Sequence, residues 1–422
     1  MPGIGYVTTG TFNSTKETYM LPTDESVCGL LFDCSDFSLP FYDYPLISQY
    51  FEDGQTQLIN NLTEAEMFGL TDNGFMNGVP YYHIKQFYDY IGTDAPLYIC
   101  FTSETQEWGA IESMQMAASG KIFQIGVWTS KRMWAPNNSK LQFTTLASNL
   151  EAAAEVVCGK VGKQSLNSTP LSIILSPNTY FSESGYTLQD IPDATVLNMP
   201  KLSVCLMQNG SDEVHAMQNK NPNNAPVGCI GLAMACFYLA YAEECIGYVA
   251  KFNLNKNDDI NNAEIWLGTA SYPVTDISYI VGNLTAQKGY IVPCEYSNKV
   301  SEVFFSGDPT LSDGDYCQVA NNRIMHKVRR AIHSALIPYI GNHNLLENGA
   351  LSSASESILT NAVSTMVNSV MVNAQGQSQI NGCTVSVTKS SDILKDDSIS
   401  IDASIGLVNY NKTINEKDDY EV

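Results

Sequence analysis

The sequence predicts an α/β protein. A mostly parallel sheet core covered by helices is expected to carry a smaller α+β C-terminal domain and extended terminal arms. Two observations carry that expectation. From residue 81 to 175, short apolar runs alternate with helical patterns of 11 to 17 residues, the rhythm of βαβ crossovers and a sheet buried on both faces. The last hundred residues change character, giving two amphipathic helical runs followed by two strand patterns.

The first 25 residues are rich in Gly, Thr and Ser and aperiodic, as in an arm, and Val27 to Phe32 reads as the first buried strand. Thr63 to Phe68 turns helical, with Asn61 or Thr63 as cap, Glu64 and Glu66 in the first turn and Gly69 as stop. Alternation then sets in: helix Tyr81 to Ile91, strand Ala95 to Thr102, helix Glu104 to Ala118, strand Ile122 to Trp128, helix Leu141 to Val157, strand Leu171 to Leu175. Leu202 to Leu206 and Gly247 to Phe252 continue as strands around an apolar helix, Val227 to Ala242. Residues 182–200, 208–226 and 253–263 read as polar loops. A helix at Val274 to Leu284 and strands at Gly289 to Val292 and Val303 to Phe305 follow.

The C-terminal part opens with a basic amphipathic helix, Asn321 to Tyr339, and a second helix, Ser353 to Val372. Strand Cys383 to Val387 comes next. Ser398 to Tyr410 then sets Ile399, Ile401, Ala403, Ile405 and Leu407 on one face and Ser400, Asp402 and Ser404 on the other. Strict alternation marks a half-buried strand. It must join its own sheet or be offered to another copy.

Composition narrows function. The formal charge is −22, from 44 acidic and 22 basic residues, which repels phosphate and argues against nucleic-acid binding. Eleven cysteines without a C-x-x-C pair, mostly inside apolar runs, read as reduced core residues in a protein folded in the cytoplasm. The five histidines lie near no cysteine pair, so no metal is expected. Val227 to Ala242 is shorter than the roughly 20 residues a bilayer requires, so no membrane insertion is expected. Cys158 to Ser165 departs from the P-loop in its glycine spacing and in Gln164 after Lys163. Ser211, Asp212 and His215 fall in a polar loop without an apolar frame, and Gly307 to Asp315 lacks EF-hand spacing. No catalytic residue and no cofactor is expected.

Charge placement stands out instead. At roughly 100° per residue, Arg323, Lys327 and Arg330 share one face, opposite Ile324, Val328, Ala331, Ile332, Ala335 and Tyr339. The expectation is an apolar side docked on its own domain and a cationic stripe facing outward. Such a stripe is either a solvated face paired with local carboxylates or a docking surface for an acidic partner.

Taken in order, Gly78 to Phe101, Asp315 to Arg330 with its Asn322-Arg323 pair, the Asn348-Gly349-Ala350 link, the second helix and the final strands resemble the contractile tail sheath family of phage tails and contractile injection systems. The resemblance implies a non-enzymatic subunit that polymerises helically, in stacked and expectedly sixfold rings, around an inner tube protein, and contracts. Baseplate and terminator proteins are its other implied partners. Assembly in the bacterial cytoplasm and residence in a phage tail or injection particle follow from the same likeness. It would make Arg323, Lys327 and Arg330 the tube contact and Ile399 to Val408 a strand exchanged between subunits. Ile4, Tyr6, Val7 and Phe12 would belong to the partner arm. The implied units are arm 1–25, core 26–314 with a possible outer insertion at 182–226, tube-facing domain 315–397 and strand arm 398–422. Two rivals remain: another self-assembling structural protein, of a baseplate or capsid, and an α/β enzyme.

Overall fold

The computed structural model describes residues 25–37, 44–72, 74–103, 107–138, 140–158, 169–256, 260, 262–277, 285–296, 299, 301–341, 346–347, 350–388 and 399–408. The expected arm residues Ile4, Tyr6, Val7 and Phe12 lie outside them.

A seven-stranded sheet forms the centre. Its strands are β1 (Cys28–Asp33), β2 (Thr56–Ile59), β3 (Leu97–Thr102), β4 (Gln124–Arg132), β7 (Ser172–Asn178), β8 (Leu202–Cys205) and β12 (Tyr290–Ile291), in the order β12-β8-β7-β4-β1-β3-β2. The hairpin β5 (Trp134–Asn137) and β6 (Lys140–Phe143) branches off after β4. All sheet pairings are parallel except β2 with β3, which caps one edge. β1 is buried at every residue. Leu30 and Phe32 enter one core cluster and Leu31 the other, because successive side chains in a strand leave opposite faces.

Helices α1 (Pro45–Tyr50), α2 (Leu62–Met67), α3 (Val79–Ile91), α4 (Ala110–Ala117), α5 (Leu146–Cys158), α6 (Asp212–Gln218) and α7 (Ile230–Leu239) complete this unit. α3 and α7 cover one face of the sheet, α4 and α5 the other. α7 is apolar all round because it is inserted between α3 and β4. Its Gly231 makes that fit possible: a Cβ there would lie 2.1 Å from the His83 carbonyl oxygen on α3.

Several expectations need correction. The helix expected from Leu141 starts at Leu146, since Lys140–Phe143 pairs with Trp134–Asn137 instead. Gly247 to Phe252 forms turns, not a strand; Gly247 abuts the backbone of Gly307 and Phe305 too closely for any side chain. Of the helix expected from Val274 to Leu284, Val274–Asp276 is a 3-10 turn, and 278–284 lie outside the described residues. Residues 182–226 do not build a separate outer unit. They supply β8 of the central sheet, and Leu188, Ile191, Val214 and Ala225 are buried in its two cores. They also supply β9 (Met207–Asn209), which pairs with β10 (Ala263–Leu267), itself paired with β11 (Ala270–Pro273). All eleven cysteines are free thiols and eight are buried.

After the short pairs β13 (Pro293–Cys294) with β14 (Phe304–Phe305), the chain enters α8 (Val319–Leu336) and a terminal 3-10 turn. The pair β15 (Leu346–Glu347) and β16 (Ala350–Leu351) leads to α9 (Ser353–Val370), whose first turn is capped by Ser352 accepting from the Ser355 amide. The antiparallel pair β17 (Ile380–Thr388) and β18 (Ser400–Leu407) ends the described chain. Ile324, Val328, Ala331 and Ala335 of α8 meet Val363, Val367 and Val370 of α9 and Ile380 in a core of their own.

Candidate assembly interface

The sequence points to α8 and to the last strand. The N-terminus of α8 is held by Asp308, whose backbone oxygen accepts from the Val319 amide (2.8 Å) and whose Oδ2 accepts from the Ala320 amide (2.7 Å). A carboxylate at this end of a helix is favoured by the exposed amides and the helix dipole. One carboxylate of the acidic loop Gly307 to Asp315 is therefore spent on folding.

The cationic stripe of α8 does not face outward. Arg323, Lys327 and Arg330 are 0%, 2% and 5% exposed. Arg323 donates to the carbonyl oxygens of Tyr241 (2.9 Å), Ala240 (2.9 Å), Phe237 (3.1 Å) and Glu25 (3.2 Å). Three of these belong to the C-terminal end of α7, where carbonyls lack helical partners and the dipole attracts a cation. Arg330 donates to the oxygens of Ile122 (2.8 Å), Pro170 (2.9 Å) and Gly120, at the entries to β4 and β7, and its guanidinium lies 4.1 Å from the Phe123 ring centroid. Burial pulls both guanidinium values down, Arg330 to about 9, which leaves it a cation at neutral pH. Of the four basic residues between 323 and 330, Arg329 is the exposed one.

Lys327 donates to Glu25 Oε2 (2.9 Å) and Gln379 Oε1 (2.6 Å). Burial pushes the Glu25 carboxyl up, but the Lys327 charge and the hydrogen bonds from Lys327 and Gln379 outweigh it, and the net value is lowered. α8 is thus gripped on both sides, by the central sheet on its cationic face and by α9 on its apolar face. Residues this buried offer no tube contact, and the expectation of a cationic docking stripe is withdrawn. The sequence carried a usable sign: α8 contains no acidic residue, so its cations have no partner one turn away and must find acceptors elsewhere. Glu25, Glu243 and Gln379 escaped notice because no local pattern links positions hundreds of residues apart.

The last strand does alternate. Ile401, Ala403, Ile405 and Leu407 are half-buried, while Ser400, Asp402, Ser404 and Gly406 are exposed. Within one chain β18 pairs with β17, Cys383 opposite Ile405 and Val387 opposite Ile401. Ile399 packs beside Leu351, Leu359 and Val387. Among the described residues no third strand pairs with either edge of this two-stranded ribbon. Its inner face is incompletely covered where Ala403, Ile405 and Leu407 border a groove against Tyr316, Asn321 and Met325.

In doubly wound sheets ligands bind outside the carboxyl ends of the strands, where strand order reverses, here between β1 and β4. Asp33 there accepts from Thr129 Oγ1 (2.7 Å) and the Ser35 amide (3.0 Å), and Asp36 from Ser130 Oγ (2.5 Å). Lys131 stands 3.6 Å from Asp33 and 3.8 Å from Glu107. These groups spend their charge on each other. Ser211 caps α6 by accepting from the Val214 amide, and His215, on that helix rather than in a loop, meets Glu264 at 2.8 Å. Among the described residues no group of three or more His, Cys, Asp or Glu is placed to hold a metal ion, and no helix is long and apolar enough to cross a membrane.

Comparison with solved structures decides the fold. The sheath complex of an extracellular contractile injection system, PVC, in its contracted state, superposes over 100% of this chain and 99% of its own, with TM-score 0.57 and 11% identity. The chain has the sheath fold. The anti-feeding prophage (AFP) helical sheath in its contracted state matches over 96% of this chain and 98% of its own, with TM-score 0.55 and 12% identity. A chain of the sixfold-symmetrised AFP baseplate matches over 98% and 99%, with TM-score 0.51 and 11% identity. The family model described as DUF2586, C-terminal domain, matches residues 315–418, the stretch of the sheath fold that holds α8, α9 and the ribbon. No curated protein matches this sequence.

Proposed function

We propose that this chain is a structural subunit of a contractile sheath, polymerising helically around an inner tube and contracting to drive it through a target envelope. The observation that supports this most is end-to-end correspondence with the PVC sheath: 100% of this chain against 99% of that one, with no large unit left over on either side. The contact between subunits is assigned to the β17–β18 ribbon. A neighbour's strand added to an open edge satisfies backbone groups that would otherwise invite aggregation. A head-to-tail contact of this kind does not close on itself and propagates into a tube. β18 is the strand offered, through Ile399, Ile401, Ala403, Ile405 and Leu407, and residues around Ile4, Tyr6, Val7 and Phe12 are the segment received. An inner tube protein, a baseplate and a terminator are the partners, in sixfold stacked rings. Assembly takes place in the bacterial cytoplasm, and the product is a phage tail or an injection particle. The surplus of acidic charge keeps free subunits apart until assembly begins.

Sedimentation of the purified chain over a range of salt and concentration tests the reading. Fast-sedimenting polymer from the full chain, absent after deletion of 399–422, supports it. Polymer from the truncated chain removes the strand from the contact. A uniform monomer at every salt, with and without a tube protein, points to an enzyme instead. A closed plate places the chain with the baseplate structure.

A further inference from the structure

The strongest unexplained cluster lies where residues from the N-terminal and C-terminal parts of the chain meet the same lysine. Glu25 stands three residues before β1 and follows directly on residues 1–24. Gln379 immediately precedes β17, the strand that holds β18. They are 354 positions apart, yet Gln379 Nε2 donates to Glu25 Oε1 at 3.0 Å. Lys327 donates to both, at 2.9 Å to Glu25 and 2.6 Å to Gln379. Three side chains thus close a ring of hydrogen bonds. Gln379 also donates to Glu243 (2.6 Å), just beyond α7, and Asn373 to the other oxygen of that carboxylate (3.0 Å). Arg323 and Gln124 donate to the Glu25 backbone oxygen. Lys327, Glu25 and Gln379 are 2%, 6% and 0% exposed, so water cannot replace a lost partner.

We infer that this ring couples the root of the N-terminal segment to the β17–β18 ribbon, so that a change of pairing at one is felt at the other. In a closed buried network no member moves without leaving another unsatisfied. If Gln379 shifts when β17 takes or releases a strand, Lys327 and Glu25 each lose a partner. Displacement of Glu25 by tension on residues 1–24 acts on Gln379 in the same way. Such coupling is reciprocal by thermodynamic necessity. The purpose rests on the sheath reading, in which both ends engage neighbours; the coupling itself does not.

Hydrogen exchange on the full-length protein, read in peptides covering 25–34 and 380–388 with β3 as reference, tests it. Gln379→Ala should speed exchange at least tenfold in both peptides and leave β3 unchanged. Glu25→Gln should speed 380–388, although it alters no residue of that strand. Lys327→Met should loosen both; if that variant does not fold, the other two still decide. Acceleration confined to the peptide nearest each substitution, or to neither, overturns the coupling. Failure here and failure of the sheath reading are separable. Polymer from a Gln379→Ala protein with normal exchange at 25–34 sinks the coupling alone, while coupled exchange in a protein that never polymerises sinks the sheath reading alone.

Discussion

Replacing Arg323 with methionine asks whether α8 is fastened inward. Methionine fills similar space but donates nothing. The Glu25 oxygen keeps Gln124 as a donor at 3.3 Å and the Tyr241 oxygen keeps the Glu244 amide at 3.0 Å, so the loss falls on the carbonyls of Phe237 and Ala240 at the end of α7. Each buried carbonyl stripped of a charged donor costs about 1–3 kcal/mol, and the two share one guanidinium, so their losses do not simply add. The expected destabilisation is about 2–4 kcal/mol, the cost of two buried acceptors left without a donor. Arg323→Lys should fall between, because a compact ammonium cannot span all these acceptors. The assay is urea unfolding followed by far-UV circular dichroism. Two packed units need not melt together, so each transition is fitted separately. Exposed Arg329→Met, the control, should change stability by less than about 0.5 kcal/mol. If Arg323→Met unfolds at the same midpoint as Arg329→Met, the inward account of α8 is wrong and the stripe is free to meet a partner.

Four further outcomes follow from the same geometry. Charge reversal at Arg323, Lys327 and Arg330 together should yield insoluble or unfolded chain, seen in the pellet after expression, rather than soluble subunits that merely fail to dock. Gly231→Ala drives a Cβ to 2.1 Å from the His83 carbonyl oxygen, and backbone on both sides leaves no cheap relief. It should cost about 3 kcal/mol, the upper end for overpacking, read from the same urea curves. His83 is buried and burial pulls its value from 6.5 to about 4, so the unfolded chain binds the proton first. Its contribution is intact above pH 6.5 and is lost as pH falls toward 4, by about 3 kcal/mol, and His83→Gln should flatten that part of the pH–stability curve. Deleting 399–422 should leave a folded α/β core with native circular dichroism and no polymer.

Much of the fold was legible because its signals are local. The central strands are short apolar runs between helices, and α8, α9, β17 and β18 emerge within a few residues of their expected ends. β9 was hidden because Gln208 and Asn209 are polar yet buried, Gln208 donating to Glu264 and accepting from the Val227 amide. Gly247 to Phe252 misled in the opposite sense, being apolar enough for a strand but pressed against another backbone. The interface was only partly readable. A helical wheel correctly divided α8 into two faces but is silent on what each face meets, and the assumption that charge points to water failed for three cations that end on carbonyls or a buried carboxylate. Alternation in Ile401 to Leu407 gave the strand and its faces. It could not say that β17 of the same chain would pair with it.

Negative-stain electron microscopy of the full-length protein, alone and co-expressed with a tube-forming partner, tests the central claim most directly. Hollow helical tubes of stacked rings are the expected result, with partner density inside in the co-expressed sample. Separate small particles or closed assemblies in both samples would contradict it.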